Sequence, residues 1–169
     1  MELYKPAVVF LMETKMEKNH ALGLKHRLGF PNSVAVGAVG QSGGLALFWW
    51  REVMVELQNL SKSHIDVLIS CDELDNKQWW FTGFYGEPRR EFRKDSWYLL
   101  QFLHAQLDFP WLYAGDFNKI LSAEEQFGGN DRELWQMAGF QDVVADCGFV
   151  DLGYRGLPYT WFIISKMVI

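Results

Sequence analysis

Four β-rich segments in close succession, Gly44–Trp50, Val53–Leu60, His64–Cys71 and Gln78–Tyr85, restrict the fold of this chain more than any other feature. The linkers between them are short and polar: Arg51-Glu52, Ser61-Lys62-Ser63, and Asp72 to Lys77. A parallel pair needs a crossover of about a dozen residues or more, so this spacing demands antiparallel hairpins. Trp49-Trp50 and Trp79-Trp80 are adjacent pairs, and neighbours in a strand leave it on opposite faces. At most half of these rings could share one surface, so they read as sheet-packing aromatics rather than base-stacking platforms.

Upstream, Pro6 to Met12 is a continuous apolar run, the pattern of a strand covered on both faces. It ends at Glu13-Thr14. A carboxylate at a strand's end can hold a divalent metal through hard oxygen, although glutamate is chiefly a surface residue. Asn19 to Leu28 reads as a short helix with Leu22, Leu24 and Leu28 near one side and His20 and His26 on the wet side. Gly29-Phe-Pro ends it. Gly37 to Gly44 has the look of a phosphate cradle, but it lacks the Lys-Ser/Thr of a P-loop and a strand follows instead of a helix. Its glycines suit a turn and a close backbone approach where that strand begins.

The fourth β-rich segment closes on Thr82-Gly-Phe-Tyr-Gly-Glu-Pro88. Tyr85, between two glycines, can present its hydroxyl to a phosphate or simply pack at the sheet margin. Arg89, Arg90, Arg93 and Lys94 form the one dense basic cluster, either a solvated helix start or a local contact for nucleic acid. The helix dipole does not favour cations there. Glu91 to Leu107 carries Trp97, Leu100, Leu103 and Leu107 at helical spacing, with His104 beside that stripe as a half-buried histidine. Phe109-Pro110 stops it.

Then comes Trp111-Leu-Tyr-Ala-Gly-Asp-Phe-Asn-Lys-Ile120. A buried central strand meets Gly115, which permits a sharp change of direction, and Asp116 and Asn118 follow two apart. Ligands collect at this edge of an α/β sheet. In a still-extended chain the two side chains project to the same side. A carboxylate beside a carboxamide can take a proton or align a water while also donating to a phosphate oxygen. Gly, Asp and Asn equally favour a plain turn. Ser122-Ala-Glu-Glu125 matches a capping box and predicts a short helix start. Arg132 to Asp146 reads as a helix with Leu134, Met137, Ala138, Phe140 and Val144 on its apolar face and Gly148 as its stop.

The 169 residues, 49 % hydrophobic with eight tryptophans, suffice for one packed domain. No apolar run approaches the ~20 residues that span a bilayer, so no membrane partner is expected, and no signal-peptide pattern opens the chain. Cys71 and Cys147 lie far apart in apolar surroundings, as reduced thiols of an intracellular protein in nucleus or cytoplasm do. A net charge of −5 argues against holding nucleic acid by bulk electrostatics and leaves only a local patch for it.

In order, Leu11-Met-Glu-Thr14, Ser42-Gly-Gly-Leu-Ala46, Thr82-Gly-Phe-Tyr-Gly86, Gly115-Asp-Phe-Asn118 and Leu157-Pro-Tyr-Thr-Trp161 resemble the endonuclease/exonuclease/phosphatase (DNase I-like) superfamily. Ser63-His-Ile-Asp-Val-Leu68, Ile120-Leu-Ser-Ala-Glu-Glu125 with Phe127-Gly-Gly129, and Trp135-Gln-Met-Ala-Gly-Phe140 resemble the endonuclease domain of plant LINE-type (non-LTR) retrotransposons. The likeness spans residues 1–161 as one partial domain, with 162–169 a divergent apolar tail. It implies an α/β (α+β) four-layer sandwich of two mixed, largely antiparallel sheets with outer helices. It also implies hydrolysis of phosphodiester bonds in nucleic acid, with DNA as partner and Mg²⁺ as cofactor, Mn²⁺ being able to replace it. By that resemblance Glu13 is a metal ligand, Asp116 orients or deprotonates the attacking water, Asn118 steadies the phosphate and Tyr85 hydrogen-bonds near the scissile group. Gly115, Thr160 and Trp161 support the site.

The sequence departs from the family at both ends. The family's first strand, with an Asn near the metal, belongs before Met1, and its late Ser-Asp-His segment belongs beyond Ile169. None of His20, His26, His64 and His104 stands in a matching motif, and Lys119 replaces a frequent acid. Losing one preorganised donor costs about 10²–10³ in rate, so a catalytically dead remnant that at most binds nucleic acid or protein is one alternative expectation. A phosphatase of small phosphate esters is another.

Overall fold

The computed structural model describes residues 5–40, 42–71, 77–106, 109–125 and 134–153. Along them run β1 (Val8–Leu11), α1 (Lys18–Leu28), β2 (Asn32–Val36), β3 (Leu45–Trp49), β4 (Val53–Leu60), β5 (His64–Cys71) and β6 (Gln78–Tyr85). After these come α2 (Arg93–His104), β7 (Trp111–Asp116) and α3 (Leu134–Asp146). Single 3-10 turns cover Arg90–Phe92 and Ala123–Glu125.

The strands form two sheets. One is antiparallel in the order β1-β3-β2. The other is mixed in the order β4-β5-β6-β7, antiparallel except for the parallel β6–β7 pair that α2 connects. The period-2 alternation of each strand fills three cores between four layers. Between the sheets lie Leu45, Leu47, Ile65, Val67, Ile69 and Phe81, with Phe10, Tyr85, Leu112 and Ala114 against them. Outside the smaller sheet, Ala46 and Phe48 pack on Ala21 of α1 and on Phe30. Outside the larger sheet, Trp111 and Tyr113 meet Leu100 of α2 and Phe140 and Val143 of α3. Each fully buried large side chain of these cores contributes about 1.5–3 kcal/mol. The result is an α/β sandwich of two packed sheets with helices outside.

The structure breaks one expected hairpin, adds one strand and moves several side chains relative to the sequence pattern. β3 and β4 do not pair, because β3 takes β1 and β2 as its neighbours and Arg51-Glu52 carries the chain over to the other sheet. β2 arises from Asn32–Val36, where only Val34, Ala35 and Val36 are apolar and a glycine-rich stretch follows. β3 supplies the pairing that the local pattern lacks, with Ala35 opposite Ala46. β7 is the margin of the described sheet rather than its centre, and Trp111 to Gly115 are half-buried. Leu28 is 46 % exposed although it lies on the same side of α1 as the fully buried Ala21, because it is the last residue of the helix, where Gly29 turns the chain away. On α3, Val143 is buried and Ala138 exposed, which rotates the apolar face toward Phe140 and Cys147. His104 is exposed and lies stacked on Trp111 with centroids 6.0 Å apart. The capping box at Ser122 is displaced by one residue: Glu125 accepts from the Leu121 N–H at 3.2 Å, and Ala123–Glu125 form a 3-10 turn at the edge of the described residues. Cys71 and Cys147 are both free thiols. Among the described residues no helix is long and apolar enough to cross a membrane. Leu107, the side chain of Leu134, the Leu157–Trp161 motif and the tail 162–169 lie outside the described residues.

Candidate active site

The carboxyl ends of β1, β6 and β7 converge on one edge of the sandwich, and their last residues carry the chemistry. Glu13 stands two residues beyond β1, while Tyr85 and Asp116 are the terminal residues of β6 and β7 and face each other in register. The parallel β6–β7 pairing places them side by side, so the α2 crossover is what makes them neighbours.

Glu13 reaches them from the other sheet. The Tyr85 hydroxyl donates to Glu13 Oε1 at 2.5 Å, a bond that crosses the gap between the sheets. Burial, the Glu13 hydrogen bond and the Glu13 charge together push the Tyr85 hydroxyl up to about 12, against an opposing Asn118 hydrogen bond. Tyr85 is therefore a protonated donor at neutral pH. The backbone holding Glu13 is unusual. Glu13 (φ 50) and Lys15 (φ 54) occupy the left-handed region, as does Asn118 (φ 52), and these are the non-glycine residues with positive φ in the described chain. Such conformations cost on the order of 1–3 kcal/mol each and persist where surroundings enforce them. Here the carbonyls of Gly44 and Gly43 accept from the N–H groups of Thr14 and Lys15 at 3.1 and 3.0 Å. The glycine-rich stretch thus works as a backbone brace for the turn at Glu13.

Two glycines allow β6 and β7 to close on each other. Gly115 has φ 150, and a Cβ there would collide with the Phe84 carbonyl. A Cβ on Gly86 would collide with the Phe117 carbonyl, and Gly86 donates its N–H to the Asp116 carbonyl at 2.7 Å.

Asp116 and Asn118 do not continue as an extended pair. The chain turns at Asn118, whose N–H donates to Asp116 Oδ1 at 2.7 Å in an Asx-turn, so the parity argument fails for a physical reason. The Asn118 side chain donates to the Gly86 carbonyl at 2.7 Å and also touches Tyr85. Asp116 itself remains exposed. Glu13, Tyr85, Asp116 and Asn118 are consequently linked through Tyr85 and the Gly86 loop.

The basic cluster is drawn into local contacts. Arg89 donates from Nε to Glu87 Oε1 at 2.8 Å and from its second nitrogen to Oε2 at 3.1 Å, and its guanidinium lies 4.6 Å from the Phe92 ring centroid. The pairing lowers the Glu87 carboxyl and raises Arg89. Arg93 donates to the Pro88 carbonyl at 3.3 Å, and Lys94 is exposed. The side chain of Arg90, and Thr160 and Trp161, lie outside the described residues.

Two features escaped the sequence pattern. Met12 Sδ accepts the Asp116 N–H at 3.0 Å. On the outer face of the larger sheet, buried Asp66 accepts from Trp80 Nε1 at 2.6 Å and from the Thr82 hydroxyl, which in turn accepts from Trp111 Nε1 at 2.9 Å. The alternation of Trp80 and Thr82 on one strand marks one shared face, but only the β5–β6 register places Asp66 opposite Thr82.

As a metal site, the donors are hard oxygens: the Glu13 and Asp116 carboxylates and the Asn118 carbonyl. No group of three or more His, Cys, Asp or Glu that could hold a metal occurs among the described residues. Two carboxylates fit Mg²⁺, which keeps several waters and takes substrate phosphate oxygens as its remaining ligands.

A model of the Endonuclease/Exonuclease/phosphatase family matches residues 1–165. No curated protein is a sequence match to the chain. Among solved structures it is similar to humanised D. rerio TDP2 carrying 14 mutations, at TM-score 0.54 and 15 % identity over 88 % of this chain and 59 % of that one. It is also similar to the 3′-5′ exonuclease NExo from Neisseria meningitidis, at TM-score 0.54 and 15 % identity over 83 % and 60 %. A variant of the 3′ phosphatase NExo from Neisseria bound to a product DNA hairpin matches at TM-score 0.53 and 14 % identity over 83 % and 60 %. The chain thus spans about three fifths of the length of these proteins. At such identities the likeness is one of fold.

Proposed function

Because the chain belongs to the Endonuclease/Exonuclease/phosphatase family, we propose that it hydrolyses phosphodiester bonds in nucleic acid with Mg²⁺ as cofactor, as a retrotransposon-derived endonuclease-like domain. The observation that carries this reading is the bond from Tyr85 to Glu13 at 2.5 Å beside the register pair Tyr85–Asp116, which gathers two carboxylates from two sheets at one edge. The DNA hairpin bound by a neighbour of the same fold supports nucleic acid as the substrate class. The phrases around His64, Phe127 and Trp135 support the retrotransposon origin.

In this reading Glu13 would hold the cation with the Asp116 carboxylate near it, and the cation would supply charge neutralisation and phosphate alignment. Asp116 accepts a proton from the attacking water. The exposure of its carboxylate gives that water access, and the Asx-turn fixes the orientation of Oδ1. Tyr85, protonated up to about 12, donates its single O–H to Glu13 in the free protein and would turn it toward the scissile phosphate once Glu13 meets the cation. The Asn118 amide donates to the Gly86 carbonyl and to Tyr85, and would steady the phosphate by turning the second of these N–H groups to one of its oxygens. Lys94 and the arginines 89, 90 and 93 are secondary contacts to the phosphate backbone.

The test is Mg²⁺-dependent nicking of supercoiled DNA by the pure chain, run beside Asp116→Ala and beside hydrolysis of a small phosphomonoester. Nicking that Asp116→Ala slows by about 10²–10⁴ supports the proposal. Equal rates for the two proteins remove Asp116 from the chemistry, and turnover of the monoester alone assigns the site to small esters.

A further inference from the structure

We propose that Met12 is a positioning residue for Asp116, its thioether fixing the backbone from which the Asp116 carboxylate works. The inference rests on the reading of Asp116 given above. The Asp116 N–H donates to Met12 Sδ at 3.0 Å across the gap between the sheets. The residue next to Met12, Glu13, receives the Tyr85 hydroxyl at 2.5 Å across the same gap. Two consecutive residues at the end of β1 therefore grip the ends of β7 and β6, one through a main-chain donor and one through a side chain.

The chemistry of sulfur suits this place. Asp116 is the last residue of β7, and β7 is the margin of the described sheet. A thioether on a flexible unbranched stem reaches across an irregular gap and offers a weak, uncharged acceptor. It ties down the amide without adding a further charge to an edge that already carries Glu13 and Asp116. Met12 is 39 % exposed, so burial alone does not explain a large apolar side chain at the site edge. A misplacement on the order of 1 Å at a reacting group costs about 10²-fold in rate, so a bond that sets the height of Asp116 against Glu13 has a large lever.

The experiment compares the full chain with Met12→Leu, which keeps the volume and removes the acceptor, and Met12→Gln, which keeps the reach and restores one. Met12→Leu is a volume-conserving hydrophobic swap, and at a position 39 % exposed the amide of Met12→Gln keeps access to water. The readouts are the Asp116 amide proton resonance and the kcat and KM of DNA nicking. The expected result is an upfield move of that resonance and a loss of about 10- to 100-fold in kcat in Met12→Leu, with KM within about twofold, both reversed in Met12→Gln. An unmoved resonance, or a loss that Met12→Gln does not recover, overturns the role of Met12. The resonance reports the contact whether or not the chain turns over. A parent protein that fails to nick DNA therefore sinks the proposed function and leaves Met12 to be decided by the resonance alone.

Discussion

Asp66 and Asp116 belong to the same sheet, yet one is sealed and the other open. Asp66, 1 % exposed, sits mid-strand in β5 and accepts from Trp80 and from Thr82, itself held by Trp111. Burial raises its carboxyl, and the two hydrogen bonds pull it part of the way back. The neighbouring Tyr113 hydroxyl is buried without a partner and is pushed well above its ordinary range by burial and by the charge of Asp66. Asp116 ends β7 in the open, with one oxygen on the Asn118 N–H and its backbone fixed by Met12 and Gly86. The first carboxylate has donors closed around it and ties β5, β6 and β7 together. The second has its main chain held and its side chain free to meet solvent. Preorganised backbone with an accessible carboxylate is what a proton acceptor needs, while a carboxylate consumed by buried donors serves the fold.

Substitutions can break that contrast. The largest effect belongs to Asp116, the 10²–10⁴-fold loss of nicking stated above, with little change in melting temperature because an exposed residue outside a core contributes little stability. Asp66→Ala reverses the pattern: it orphans Trp80 Nε1 and the Thr82 hydroxyl, so chemical denaturation should register a loss of about 2–4 kcal/mol while the folded fraction keeps its specific activity. If Asp66→Ala abolishes activity in fully folded protein, the two carboxylates are not separable. Tyr85→Phe keeps the ring and removes the donor to Glu13, and nicking should fall about 10- to 100-fold with the fold intact by circular dichroism.

The smallest effect is in pH dependence. The Asp66 carboxyl is raised in the folded state, so the native protein binds its proton more tightly than the unfolded chain does. That contribution to stability is fully present below the ordinary carboxylate range and is lost as pH rises through the folded-state value. Melting temperatures across this window should fall less steeply in Asp66→Asn than in the parent. A steeper fall in the variant contradicts the assignment.

Much of the fold was legible because it depends on spacing. The short linkers after Leu60 and Cys71 close the antiparallel hairpins β4–β5 and β5–β6, and β4, β5 and β6 match their expected bounds. The two-residue linker after Trp50 instead joins the two sheets without closing a hairpin, which spacing alone does not distinguish. The end of β7 was legible only to within a few residues: the strand runs through Gly115 to Asp116 and the chain turns at Asn118, while Gly115 is required by the close approach of the Phe84 carbonyl. β2 was not, because a strand with few apolar residues is specified by its partner β3. The apolar faces of α1 and α3 were misplaced at Leu28 and Ala138, where helical periodicity fixes a stripe but the sheet beneath decides which edge of it is covered. At the site, sequence nominates residue types, while the grip of Met12 on Asp116 and of Glu13 on Tyr85 spans 104 and 72 positions and exists only once the sheets are stacked. The turn at Asn118 is a local event that an assumption of extended backbone conceals.

The central claim is that Glu13 and Asp116 act as one site although they come from different sheets. A double-mutant cycle of Glu13→Gln and Asp116→Asn on Mg²⁺-dependent nicking tests it most directly. The account predicts strong non-additivity, with the double variant no more than about tenfold slower than the worse single one. Losses that simply multiply would mean that the two carboxylates act independently, and the account would be wrong.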